Sequence, residues 1–160
     1  MNKFKYLLQE CIKNILEDID KINFDSTDNY NKGQFFTYYE ILQNITIQAF
    51  FSKIPLKELG LDKYDYKKLL HIDINSNIYQ VVKRIINEWD PYDLISCGAP
   101  DDEYENEIKV ICFKIEGKNS IKDVAHVIFD VFTKAFGGDI TCFSIENCMD
   151  IAKKIKNCIE

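Results

Sequence analysis

The residues best able to do chemistry in this chain are carboxylates. Between positions 85 and 108 stand Glu88, Asp90, Asp93, Asp101, Asp102, Glu103, Glu105 and Glu107, with no lysine or arginine among them. Residues 1–84 hold twelve basic against eleven acidic side chains and residues 109–160 hold eight against seven, so the formal net charge of -6 is local to this interval. A concentrated negative patch on an otherwise balanced chain attracts cationic partners and speeds their encounter, with ionic-strength dependence as its mark. It also argues against direct nucleic-acid binding, which needs Lys and Arg displayed toward phosphates.

The same acids have other uses. Asp90, Pro91 and Asp93 match a helix N-cap, a first-turn proline and an acid at the third helical position, with Gly98 closing the turn. Asp102 and Glu105 repeat the cap spacing for a following helix, and Asp101 and Glu103 fit the same entrance. Capping accounts for about half of the set but not for the exclusion of Lys and Arg across the interval. A hard cation would also take several carboxylate oxygens, yet the alternating acids and obligatory glycine of an EF-hand loop are missing. General acid–base catalysis would need two carboxylates in different environments around a cleft, and spacing alone does not show such a pair.

Other reactive residues offer less. His71 and His126 have no neighbouring Cys or acid at ligand or triad spacing, so His126 is expected to be structural or exposed. Cys11, Cys97, Cys112, Cys142, Cys148 and Cys158 include no C-x-x-C pair, which removes the zinc and thioredoxin signatures. They are expected to be reduced thiols in the cytoplasm that serve as small core hydrophobes. No phosphate-binding glycine loop, nucleophile elbow or dinucleotide fingerprint occurs, and no cofactor or metal is expected.

The elements that must position the acids read as helices. With 160 residues, 46% of them apolar, the chain can close a core, and its three prolines and six glycines are too few for an all-β protein. Apolar residues recur at helical spacing over residues 4–22, and a polar loop follows over 23–33. A second helix over 34–52 is expected to turn Phe36, Tyr39, Leu42, Ile45, Ala49 and Phe50 inward. Residues 55–70 read as one or two short helical turns and 71–77 as a connector, with a brief strand possible at 72–74. Helices then follow over 76–89, 103–117, 120–136 and 144–158, with a helical turn at 91–97 between the first two. Ser120 with Asp123, and Gly137 with Gly138, mark the two ends of the helix over 120–136. The expectation is an all-α bundle of about five to seven helices, its segments 1–75, 76–138 and 139–160 packed as one domain. Charged residues interrupt every apolar run, so neither a membrane span nor a signal peptide is expected.

The stretch from Glu88 to Glu107 resembles the signature of the YugE-like domain of unknown function, a bacterial family of small helical proteins. The residues that carry this resemblance are Glu88, Trp89, Asp90, Pro91, Leu94, Gly98, Ala99, Pro100, Asp102, Glu103, Tyr104 and Glu107. It covers about residues 76–136, and Tyr92 stands where the family usually shows an aliphatic residue. The resemblance implies no established activity, although similar domains recur among immunity proteins encoded beside bacterial toxins.

Together these readings describe a non-catalytic protein-binding protein, of the immunity or inhibitor kind. Its acidic face, formed by Asp90, Tyr92, Asp93, Asp101, Asp102, Glu103, Tyr104, Glu105 and Glu107, would dock on a basic partner such as a toxin. Trp89, Tyr92 and Tyr104 are the aromatic anchors expected at its centre, unless core packing claims them. The alternatives are a small metal- or carboxylate-dependent enzyme and an oligomerisation module.

Overall fold

The computed structural model describes residues 3–22, 29–70, 72–118, 120–137 and 143–159. Among these the fold is all-α, with six α-helices and two short 3-10 helices. Residues 72–74 form no strand. Asp73 instead closes a turn there by accepting the Asn75 N–H at 2.9 Å. The contacts divide the chain into two compact units, residues 1–71 and residues 72–160.

In the first unit, α1 (Lys3–Asp20) turns Ile12 and Ile19 inward. It is tied to the 3-10 helix Leu56–Leu59 by Lys5, whose Nζ lies 2.6 Å from Glu58 Oε2, and by Gln9, whose amide donates to the Glu58 carbonyl at 2.6 Å. Gly60 ends that turn in the left-handed region at φ 73°, a backbone state open to glycine at little cost. Helix α2 (Asn29–Phe51) begins earlier than position 34. Phe35 is buried, and its packing outweighs the roughly 1 kcal/mol that Gly33 costs inside a helix. Phe35, Tyr39, Leu42 and Ala49 form the inward face, with the Tyr39 ring 5.6 Å from Tyr66 of the second 3-10 helix, Tyr66–Leu70. Phe50, expected inside, is instead 78% exposed.

In the second unit, α3 (Asn77–Trp89), α4 (Glu105–Ile115), α5 (Ile121–Ala135) and α6 (Ile145–Ile159) each pack on two of the others, in the cyclic order α3, α4, α5, α6. The interior is apolar: Val82, Ile86, Ile111, Ile128, Phe132 and Ile155 are fully buried. Serine hydroxyls start three of these helices. Ser76 accepts the Tyr79 N–H and Ser120 the Asp123 N–H, each at 3.3 Å. Ser144 and Asn147 exchange bonds, Asn147 Oδ1 accepting the Ser144 N–H at 2.9 Å and Ser144 Oγ the Asn147 N–H at 3.3 Å. Gly137 follows α5 at φ 76°, as the stop signal requires. Gly138, Cys142 and His71 lie outside the described residues.

The cysteines divide. Cys112 and Cys148 are buried, and burial pushes both thiols up to about 12, so they stay protonated and pack as hydrophobes. Cys11, Cys97 and Cys158 are exposed, contrary to the core role expected of the set, because each sits where its helix or turn faces solvent. His126 is exposed, with Nδ1 2.7 Å from the Lys122 carbonyl.

Candidate functional site

The acids concentrate in the loop between α3 and α4, and its fold begins with Asp90. Sequence spacing suggests an N-cap here, but Asp90 is the C-cap of α3, in the left-handed region at φ 42° and ψ 63°. Aspartate tolerates that region better than most residues because its short side chain can bond locally. The Asp90 carboxylate reaches past the first turn and accepts the Ser96 N–H at 2.8 Å and the Ile95 N–H at 3.2 Å. Its third donor is the Tyr104 hydroxyl at 2.7 Å, from the far end of the loop. The same phenol oxygen accepts the Tyr92 N–H at 3.4 Å. One carboxylate and one phenol therefore pin residues 90, 92, 95, 96 and 104 together.

Electrostatics follow from this geometry. Burial alone would raise the Asp90 pKa, but the donors from Ser96, Tyr104 and Ile95 outweigh it and hold the carboxyl below its ordinary value. Burial first, and then the Asp90 carboxylate, push the Tyr104 phenol above its own ordinary value, so it remains the donor. Tyr104 is fully buried. It and Asp90 thus shape the loop from within, and Tyr104 presents no surface to a partner.

Aromatic packing fixes the loop from below. Tyr92 stacks on Phe136 with ring centroids 4.2 Å apart, and Trp89 meets Phe132 edge-on at 5.4 Å and Phe143 at 5.7 Å. Tyr104 meets Phe132 at 5.6 Å. All three expected anchors therefore belong to this cluster, with Trp89 and Tyr92 half-buried. Asn87 adds a tie by donating its amide to the Asp101 carbonyl at 2.8 Å.

The remaining acids part company on this scaffold. Glu88 faces Arg84 at 3.5 Å, and Glu105 faces Lys109 at 2.8 Å. Glu105 and Glu107 are half-buried in the first turn of α4, where a carboxylate suits the helix dipole. That helix starts at Glu105 with Tyr104 at its N-cap and no side-chain cap, so the expected start at 103 and the Asp102 cap do not occur. The Tyr104 hydroxyl is committed to Asp90 instead. Asp93, Asp101, Asp102 and Glu103 are exposed, and among the described residues no ion pair or side-chain hydrogen bond engages their carboxylates. Asp93 lies in the left-handed region at φ 55°, its carbonyl capping the turn to Ser96 and Cys97. Among the described residues no group of three or more His, Cys, Asp or Glu side chains is placed to hold a metal ion.

Fold and site together define a class: an all-α domain that displays an acidic interhelical loop. Residues 80–158 match the model of a family described as a domain of unknown function, DUF1871. The match starts within α3 and runs nearly to the end of α6, so it takes in the acidic loop and the four-helix unit around it. This finding replaces the resemblance to the YugE-like domain: the matched family is DUF1871, and its span reaches beyond position 136 to include the last helix. No curated protein and no solved structure matches the chain.

Proposed function

We propose that this chain is a protein-binding module whose α3–α4 loop docks on a cationic protein surface. The observation that carries the reading is the contrast within the loop. Asp90 and Tyr104 hold the backbone, while Asp93, Asp101, Asp102 and Glu103 are exposed, with no cation among the described residues paired to them. A loop ordered before binding gives up little conformational entropy on docking, and an unopposed charge cluster raises the association rate of a basic partner. The free thiols suit a reducing compartment, and the cytoplasm is the setting we propose. An immunity or inhibitor role against a basic toxin is a special case of this reading. Its test is the identity of the protein captured.

The experiment uses the wild-type chain and an Asp101→Lys, Asp102→Lys, Glu103→Lys variant as paired baits against a lysate of the source cell. A basic protein held by the wild type at low salt, released as salt rises and missed by the variant is the expected outcome. Its association rate with the wild type should then fall as ionic strength rises, because the pairing charges are exposed. Equal capture by both baits, or an association rate indifferent to salt, would overturn the proposal.

A further inference from the structure

A different surface lies on α1, in the first unit. At helical spacing Phe4, Leu7, Leu8 and Cys11 fall in one stripe about 100° wide, beside the inward face of Ile12 and Ile19. Each is an i, i+3 or i, i+4 neighbour of another, so the stripe is continuous. It is open to solvent: Phe4 is 82% and Leu7 60% exposed, and Cys11 is exposed as well. Leu8 also walls an open groove of about 320 Å³ toward α2, shared with Ile45, Ala49 and Ile54. The charges of α1 run against its own dipole. Its first turns carry Lys3 and Lys5 with no acid before Glu10, and its last turns carry Glu17, Asp18 and Asp20 with no base after Lys13, an order that costs a solitary helix stability.

We infer that α1 pairs with α1 of a second copy of the chain, antiparallel about a twofold axis at Cys11. Two observations select that occupant. The first is charge. An antiparallel copy sets the acidic end of one helix beside the basic end of the other and opposes their dipoles, whereas a parallel copy would set like charge on like. Lys5 and Asp18 have partners in their own chain, Glu58 and Lys21, but these pairs are exposed and therefore weak. The second is symmetry. The stripe positions 4, 7, 11, 15 and 18 are spaced three, four, four and three apart, so the pattern reads alike in both directions about Cys11, at the middle of a helix that spans 3–20. In that register Leu7 meets Ile15 of the other copy, Phe4 enters the turn between its Ile15 and Ile22, and Lys3 comes beside its Asp18. A twofold interface needs such a self-complementary surface.

The test is sedimentation equilibrium on the full, reduced chain over micromolar concentrations, with far-UV circular dichroism to check the helices of each variant. The wild type should sediment at twice the 18.8 kDa chain mass, and Leu7→Glu at the single-chain mass with unchanged helicity. Lys3→Glu or Asp18→Lys alone should weaken pairing roughly tenfold by setting like charges opposite each other, and the two together should restore it. Should Leu7→Glu lose helicity, this charge exchange decides. Mild copper–phenanthroline oxidation of the wild type should give a covalent dimer whose peptide map joins Cys11 to Cys11. An Asp101→Lys, Asp102→Lys variant should remain a dimer, which separates this surface from the acidic loop. A wild type that stays monomeric, a dimer untouched by a folded Leu7→Glu, a charge exchange that fails to restore pairing, or an oxidised dimer joined only through Cys97 or Cys158 would each overturn the inference.

Discussion

The two units of this chain handle apolar side chains and charge in opposite ways. Among the described residues of 72–160 only Ile74 is an exposed large hydrophobic, the rest being buried or, like Trp89 and Tyr92, half-buried, while residues 1–71 leave Leu7, Tyr30, Phe50 and Phe51 at the surface. Charge runs the other way: ten acidic and ten basic side chains in the first unit, sixteen and ten in the second. The four-helix unit closes its own core and spends its surface on negative charge. The α1–α2 unit has no formal net charge and leaves more large apolar side chains exposed.

Substitutions can break or sharpen this contrast. The largest effect is expected at Phe132, fully buried at the centre of the aromatic cluster. Phe132→Ala should lower unfolding stability by about 3–5 kcal/mol in urea denaturation. Tyr30→Ala, at a ring 74% exposed in the other unit, should change it by less than about 0.5 kcal/mol. Comparable losses at the two sites would erase the contrast.

Next comes Asp90→Ala, which strips the buried Tyr104 hydroxyl of its acceptor and leaves two loop N–H groups unbonded. A cost of about 1–3 kcal/mol is expected. The pH dependence has a definite sign. The folded state holds the Asp90 carboxyl below its ordinary value, so it binds a proton less readily than the unfolded chain does. That contribution to stability is complete above about pH 4, the ordinary aspartate value, and is lost as pH falls through the lower folded value. In thermal melts across an acid series, Asp90→Asn should therefore decline less steeply below about pH 4 than the wild type does. A parallel decline in both proteins would remove Asp90 from the account.

Smaller still is Ser120→Ala, which leaves the α5 N-terminus without its side-chain acceptor and should cost about 1 kcal/mol, read from the same melts. The smallest effect belongs to the charge reversal itself. Asp101→Lys with Asp102→Lys should stay within about 0.5 kcal/mol of wild-type stability, because those carboxylates are exposed and engage no partner among the described residues. A large loss there would mean that the acids serve the fold after all.

Much of this architecture is legible in the sequence because single apolar stripes specify it. Helices α1, α3, α5 and α6 begin and end within about two residues of where periodicity places them, and Ser120 and Gly137 mark α5 as their chemistry requires. Legibility fails where local pattern is ambiguous. Helix α2 scatters its apolar residues around the helix among polar ones instead of gathering them in one stripe, so spacing does not tell which ring turns inward, and Phe50, expected inside, is exposed. Asp90-Pro91-Tyr92-Asp93 fits a helix start as well as the end of one. What decides between them is Tyr104, fourteen residues on, whose hydroxyl claims the carboxylate. An aspartate directly after a helical stripe is a hint of a left-handed C-cap, but its distant partner leaves no mark in spacing. Within the acidic set, the sequence shows that the basic residues are missing. Only the folded chain separates Asp93, Asp101, Asp102 and Glu103, which are exposed, from Asp90, which is half-buried and bonded into the loop.

A negative potential focused on the α3–α4 loop can be measured without any partner. Nuclear-spin relaxation of backbone amide protons, compared between a cationic and a neutral nitroxide of equal size, reports the local potential residue by residue. The greatest enrichment of the cationic probe is expected at the amides of Asp93, Asp101, Asp102 and Glu103, and should be lost on reversal to lysine. An enrichment no greater there than along α5 or α6 would contradict it.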